Sequence, residues 1–358
     1  MMLKIIHTAD VHLDSAFSGI SDSGKMAVRR EDMRTSFSRI VDMAKQADFL
    51  LIAGDLFDGA LITHTTLDFL KQQFAKISDT PVFICAGNHD AFTEDSVYKN
   101  FDFGENVHVF GHGAECVETE KADIYGISFS NANVEKTLLS QFQIKHPDKI
   151  NILVMHANLA GEGYNPIRLQ EIADSGMDYI ALGHIHKTSG LSKQGGTYFA
   201  YPGCPEGRGF DETGEKGVLA LELAKGEVKA TFVPVQERMY IEEKVDITGL
   251  ASYEDITEKI KSVLCGANHI YRIVLCGAAA FPVDTAVLKE KIDGFYVTVR
   301  DHTKPETDIK TQSKEFSLKG LFAAYALKDQ ETTDQEIFDL AYQTGMAFIE
   351  KEERNENR

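Results

Sequence analysis

Apolar and polar positions divide the first half of the chain into alternating strands and helices. Residues 2–7 form an apolar run that stops at Thr8-Ala9-Asp10-Val11-His12-Leu13-Asp14. The polar, glycine-containing stretch 19–25 reads as a loop. From Glu31 to Ala47, Met33, Phe37, Ile40, Val41 and Ala44 recur at helical spacing and predict an amphipathic helix. Leu50-Leu51-Ile52-Ala53 has no polar position, which fits a strand covered on both faces, and Gly54-Asp55 ends it. A helix follows over 63–76, with Leu67, Phe69, Leu70 and Phe74 on its apolar side, and then a strand over 81–85. Strand, helix, strand, helix, strand is the pattern of parallel crossovers. Short β segments are expected over 107–129 and a short helix over 134–142. Residues 151–155 and 178–182 read as buried strands, with a helix near 166–173 whose first turn holds Pro166. Antiparallel strands are expected around 197–201, 217–223 and 228–235.

The texture changes near 236–239. Residues 240–302 offer strand, helix, strand, helix, strand, enough for a small α+β domain over 237–303. Residues 303–314 are polar, carry Pro305 and read as a linker. The rest, from Phe316, is helical in pattern. The expected domains are therefore 1–236, 237–303, and a linker with a helical C-terminal segment over 304–358.

With 358 residues the chain is long enough for two domains. Apolar and charged shares of 43% and 26% are those of a soluble globular protein, and no apolar run approaches a membrane span. The first residues enter a strand pattern directly, without a secretory leader, so a cytoplasmic protein is expected. Five scattered cysteines with no C-x-x-C pair exclude a disulfide framework and a cysteine zinc site. A net charge of −18 gives no overall attraction for nucleic acid. If DNA is the substrate, bound metals, a local basic patch or a basic partner must supply it.

Five strand ends share one design. Asp10-x-His12, Gly54-Asp55, Gly87-Asn88-His89-Asp90, His156 and Gly183-His184-x-His186 each follow a buried run immediately. Parallel topology brings such ends to one edge of a sheet, where ligand sites lie. Imidazole and carboxylate without thiolate suit manganese, iron or zinc. Setting His89 aside, Asp10, His12, Asp55, Asn88, His156, His184 and His186 are too many donors for one ion with an open position. They fit two ions sharing a carboxylate, and a pair about 3.5–4 Å apart clamps the attacking and leaving oxygens of a phosphoryl displacement.

The D-x-H, G-D, G-N-H-D, H and G-H-x-H series resembles that of the calcineurin-like metallophosphoesterases. Asp10–Phe17, Gly54–Asp58 and Pro202-Gly203-Cys204-Pro205-Glu206 resemble the DNA-repair exonuclease branch, SbcD-like and nearest the bacterial YhaO type. The resemblance covers residues 1–235, and the following domain only in size and position. It implies an α/β fold of two mixed sheets flanked by helices, with residues 237–303 as a cap that narrows substrate access. One metal would be held by Asp10, His12, Asp55 and His186, the other by Asp55, Asn88, His156 and His184, with Asp55 bridging. His89 would protonate the leaving oxygen, and Asp90 would orient it or start a helix. Asp58 stands where many relatives carry a substrate-positioning histidine, and Arg208 is a candidate phosphate contact or a salt-bridge partner of Asp211 or Glu212. The resemblance further implies manganese, a DNA substrate, an SMC-like ABC-type ATPase docked on the C-terminal segment, and in some relatives a homodimer. Two other readings use the same residues: a phosphodiesterase or phosphatase on nucleotides or small phosphoesters, which the acidic charge favours, and a scaffolding subunit, which the complete ligand set disfavours.

Overall fold

The computed structural model describes residues 2–17, 19–59, 62–159, 161–306, 309–330 and 333–356. In chain order the first elements are β1 (Leu3–Thr8), α1 (Ser23–Ala44), β2 (Phe49–Ala53), α2 (His64–Ala75), β3 (Val82–Cys85), α3 (Val97–Asn100) and β4 (Val107–Val109). Next come β5 (Glu115–Glu118), β6 (Asp123–Ile127), β7 (Asn151–His156), α4 (Leu169–Asp174), β8 (Tyr179–Gly183), β9 (Ser192–Gln194), β10 (Thr197–Ala200), β11 (Gly217–Ala224) and β12 (Glu227–Pro234). Two six-stranded mixed sheets result, ordered β12-β11-β1-β2-β3-β4 and β5-β6-β7-β8-β10-β9. Strands β1 to β4 run parallel, and β11 joins β1 antiparallel. In the second sheet β6, β7, β8 and β10 are parallel.

The apolar runs lack alternation because both faces of each central strand are covered. In β2, Leu50 and Ile52 enter a core with Phe37, Ile40 and Phe74 of α1 and α2. Phe49, Leu51 and Ala53 point the other way and pack with Ile152, Val154 and Ala181 of the second sheet. Leu153 and Met155 of β7 face Ile172 of α4. The layers are helix, sheet, sheet, helix, the α/β architecture that the resemblance implies.

Several local expectations are corrected. Helix α1 begins at Ser23, eight residues before the expected start at Glu31, because Asp22 caps it by accepting from the Lys25 amide (3.0 Å). Only a 3-10 turn, Leu139–Gln141, stands in the stretch expected to be helical over 134–142. Pro166 lies in a bridge with Asn158 and not in the first turn of α4. The expected single edge is also replaced, since the five strand ends that carry the candidate donors come from two facing sheets.

The chain falls into two compact units: Met1–Glu242 with Cys265–Arg272 and Gly294–Tyr296, and Glu243–Leu264 with Ile273–Asp293 and Val297–Arg358. Beyond β12 follow β13 (Tyr240–Asp246), α5 (Tyr253–Val263), β14 (Ile270–Cys276), β15 (Ala278–Ala279), α6 (Thr285–Lys291) and β16 (Tyr296–Asp301), with β13-β14-β16 as one sheet. The stretch expected as a linker contains β17 (Lys304–Pro305), paired with β15, and α7 (Ile309–Gln312). Helices α8 (Leu318–Asp329) and α9 (Gln335–Glu356) pack through Ala323, Phe338, Tyr342 and Met346. Among the described residues no helix is long and apolar enough to cross a membrane.

Candidate metal centre

The loops leaving β1 and β2 run side by side and continue the parallel ladder past the strand ends. Asp10 N–H donates to Gly54 O (3.0 Å), His12 N–H to Asp55 O (3.0 Å) and Leu13 N–H to Leu56 O (2.9 Å). Val11, Leu13, Leu56 and Phe57 are buried beneath, so the polar residues between them face the other sheet. Asp10, His12, Asp55 and His184 adopt φ of 52°, 49°, 51° and 112°. Each such left-handed residue costs about 1–3 kcal/mol and persists only where its surroundings impose it. Two glycines allow the close approach: a Cβ on Gly54 would lie 2.3 Å from His156 Nδ1, and one on Gly87 2.2 Å from Asp55 Oδ1.

The hydrogen bonds fix which ring nitrogens are free. His156 Nδ1 donates to Ala53 O (3.0 Å), so Nε2 carries the lone pair. That lone pair faces Asn88 Oδ1 at 3.0 Å and Asp55 Oδ2 at 3.5 Å, both acceptors. His186 Nδ1 meets Glu212 Oε1 at 2.7 Å, and His12 Nδ1 meets Asp58 Oδ1 at 3.3 Å. The free Nε2 atoms of His12 and His186 then point at each other, 3.2 Å apart, with Asp10 Oδ1 3.7 Å from His186 and Asp55 Oδ2 3.8 Å from His12. His184 Nδ1 lies 3.3 Å from Asn88 Oδ1, and its backbone N–H donates to both oxygens of Asp10 (3.1 and 3.0 Å). Nitrogen and oxygen acceptor atoms thus crowd together in two adjacent places. A cation in each place removes their mutual repulsion, so these residues could hold two.

The charges agree. Burial and then Asp55 push the Asp10 carboxyl well above the usual carboxylate range. Burial also works against Asp55, but His156, His12 and the His89 amide hold its carboxyl below its ordinary value. Burial pushes His12 and His184 down to about 4, leaving them neutral imidazole donors near neutral pH. Asp55 Oδ1 accepts from the His89 amide (2.9 Å), and Oδ2 lies between His12 and His156.

At the rim His89 is half-exposed, its Nδ1 3.1 Å from Asp58 Oδ1. The Asp58 hydrogen bond raises the His89 pKa, and bonds from His12 and His89 hold the Asp58 carboxyl far below its usual range. Asp58, not Asp90, is therefore the carboxylate that orients His89. Asp90 starts no helix either. It accepts from Gly87 N–H (2.7 Å), Phe57 N–H (3.0 Å) and the Tyr98 hydroxyl (2.6 Å), which pins two of the ligand loops together. Arg208 donates to Asp58 Oδ1 (3.3 Å) and Glu212 Oε1 (3.3 Å), so of the two expected acidic partners it takes Glu212.

A family model, calcineurin-like phosphoesterase, matches residues 3–188, which span all five strand ends that carry the candidate donors. The chain belongs to that family. Its members use a dinuclear metal centre, and this phosphoesterase is a metal-dependent phosphoester hydrolase with acid–imidazole clusters where such a centre is built. It is 31% identical to the metallophosphoesterase YhaO of Bacillus subtilis, over 77% of this chain and 72% of that protein. It is 24% identical to the DNA double-strand break repair protein Mre11 of Methanopyrus kandleri, over 84% and 71%. It is 22% identical to a subunit of the SbcCD nuclease of Staphylococcus epidermidis, over 72% and 75%.

The bond of Glu212 to His186 and the stacking of Tyr164 carry no signal in the sequence alone. Glu212 is one of several acidic residues in its stretch, yet it is the one that reaches His186, and that bond with Arg208 outweighs burial and brings its pKa down to about 2. Tyr164 stacks on His184 with ring centroids 5.1 Å apart, from a loop with no periodic pattern.

Proposed function

We propose that this chain is a DNA repair nuclease, a 3′→5′ exonuclease with single-strand endonuclease activity that hydrolyses phosphodiesters at two metal ions. The observation that carries the reading is the convergence of imidazole nitrogens from both sheets on Asp55 Oδ2. Asp10, His12, Asp55 and His186 would hold one ion, and Asp55, Asn88, His156 and His184 the other. The donor set suits manganese, with iron and zinc close behind. When bound, the ions supply Lewis acidity to water and to the scissile phosphate.

The chain's own residues do the rest. Asp55 sets the spacing of the two halves. His89, its pKa raised by Asp58 and open to solvent at the rim, presents Nε2 to the leaving 3′ oxygen and gives it a proton. Asp58 holds that ring, and Arg208 balances the Asp58 charge beside the position that a phosphate would take.

Substrate and partners rest on relatives named as break-repair and nuclease subunits. We take residues 237–303 as a capping domain and 304–358 as the docking segment for an SMC-like ABC-type ATPase. Leu318, Leu321, Tyr325, Ile337, Leu340 and Phe348 of α8 and α9 are all exposed, which supports docking. A homodimer and a cytoplasmic location complete the reading. A net charge of −18 favours a second one, hydrolysis of nucleotides or small phosphoesters. Purified chain with manganese is offered end-labelled single- and double-stranded DNA, cyclic nucleotides and bis-p-nitrophenyl phosphate. Cleavage of DNA that is lost in His89→Ala supports the nuclease. Turnover of the small esters alone, with and without the ATPase, supports the second reading and removes the first.

A further inference from the structure

We propose that Glu212 is the positioning residue of one half of the metal centre: its carboxylate holds His186 with Nε2 free for a divalent cation and, through Arg208, ties that ligand to the Asp58–His89 pair. This rests on the reading of the site as a dinuclear metal centre.

His186 stands in the loop after β8, and a quarter of its side chain is open to solvent. Its ring is fixed from behind by Glu212, which is only 6% exposed and lies in the loop between β10 and β11. The 2.7 Å contact of His186 Nδ1 with Glu212 Oε1 settles the tautomer, because a carboxylate only accepts. Arg208 Nη2 also lies 3.3 Å from His186 Nδ1, but that contact is the longer one, and Arg208 turns to Glu212 Oε1 at the same distance. Glu212 Oε2 takes the Arg208 backbone N–H (2.7 Å) and faces the buried Cys204 thiol (3.6 Å). Its partners are therefore all donors. An amide in its place turns an N–H₂ group toward one of them, so glutamine cannot satisfy His186 and the Arg208 amide together.

From Arg208 the chain of contacts continues to Asp58 (3.3 Å) and from Asp58 to His89 (3.1 Å). One carboxylate thus braces a ligand of one ion and, three contacts away, the acid at the rim. A carboxylate behind a ligating imidazole fixes its orientation and raises its basicity, and losing it weakens metal binding about 10–100-fold. His156 and His184 do not depend on Glu212, since His156 is held by Ala53 O and His184 packs under Tyr164. The effect is therefore confined to one of the two ions.

Calorimetric titration of the full chain with Mn²⁺ tests this, comparing wild type, Glu212→Gln and, as a control, the exposed Glu215→Gln. The expected result is two equivalents in wild type and in Glu215→Gln. In Glu212→Gln one equivalent keeps its affinity and the other weakens about 10–100-fold. Two unweakened equivalents in Glu212→Gln overturn the proposal, as does an equal loss of both. A second measurement needs no variant: ¹⁵N correlation spectra of the histidine rings in the metal-free wild type report the His186 tautomer. Nδ1–H is expected, and Nε2–H overturns the proposal. Turnover of DNA and bis-p-nitrophenyl phosphate by the loaded wild type separates this result from the hydrolase reading. Selective weakening in Glu212→Gln beside a wild type that cleaves nothing upholds the role of Glu212 and removes the nuclease. Full activity beside unchanged Mn²⁺ binding in Glu212→Gln does the reverse.

Discussion

Replacing Asp58 by asparagine separates the charge of the His89 partner from its hydrogen bond. The amide oxygen of Asp58→Asn can still accept from His89 Nδ1 at the 3.1 Å separation that Asp58 uses, but the anion is gone. A charge-assisted hydrogen bond contributes about 1.5–3 kcal/mol against about 0.5–1.5 kcal/mol for a neutral one. The His89 side chain is 43% exposed, so solvent screening leaves about 1 kcal/mol of that difference, which lowers the His89 pKa by somewhat under one unit. The sign follows from the role. His89 acts protonated, so activity is lost as pH rises through its pKa, and Asp58→Asn moves that alkaline limb to lower pH. Below both limbs the rate is unchanged, and above both it falls about fivefold. Asp58→Ala also removes the acceptor, and His89→Ala loses about 10²–10⁴ in kcat/KM.

The assay is kcat/KM against pH on a DNA oligonucleotide and on bis-p-nitrophenyl phosphate, at saturating manganese. Nitrophenolate leaves without a proton, so all three variants should be near wild type on that ester and impaired on DNA. Equal losses on both substrates would refute the reasoning. Asp58 would then act through His12, 3.3 Å away, and so through the metal rather than the acid.

Chelation should abolish hydrolysis, and added manganese should restore it and raise the melting temperature by calorimetry, with about 2.7 kcal/mol of stabilisation at a hundredfold excess over Kd. Gly54→Ala places a methyl 2.3 Å from His156 Nδ1 at a φ of 89°; more than about 1 kcal/mol of stability by urea titration and most manganese binding should be lost, and a neutral result would show that the loop can shift. Arg29→Met removes one of two cations from a buried cluster in which Arg29 donates to Asp32 (2.7 Å), Glu206 (2.7 Å) and Gly207 O (2.7 Å) and Arg238 to Asp32 (2.8 Å). Leaving those carboxylates buried without it should cost about 3–5 kcal/mol in urea denaturation, and a change under about 1 kcal/mol would mean that solvent reaches them.

What the sequence displays and what it hides divide along a physical line. Apolar runs ending in Gly-Asp, Gly-Asn-His or Gly-His are legible because one local event, a strand leaving a two-sided core, writes both the run and the donor after it. Asp10, Asp55, Asn88, His156 and His184 are all placed in this way. The partners of the site are not written locally. Glu212 meets His186 across 26 residues, and Arg208 meets Asp58 across 150, through contacts that depend on how two loops fold over the strand ends. Asp58 itself is visible only as the absence of an expected histidine, and its pairing with His89 emerges once β2 and β3 lie side by side. The early start of α1 is hidden for a related reason: its first two turns carry no apolar stripe, so only the Asp22 cap marks them.

The same division explains how an acidic chain can hold such a site. Asp10 and Asp55 are buried with mostly neutral imidazoles for company, and their mutual repulsion adds to burial in raising the Asp10 carboxyl well above its usual range. Arg208, 3.3 Å from His186 Nδ1, offsets this only in part. Its guanidinium is engaged by Asp58 and Glu212. The negative potential is therefore left open at one place, between the two sheets, where two divalent cations would neutralise it and a phosphodiester would then meet positive charge on a molecule that otherwise repels it. On this reasoning the apo chain should bind DNA weakly at any manganese-free ionic strength, and loading manganese should raise affinity by far more than it changes net charge. Filter binding of single-stranded DNA to His89→Ala, with and without manganese, measures this without cleavage. Equal affinity in both states would mean that attraction for DNA comes from elsewhere on the chain.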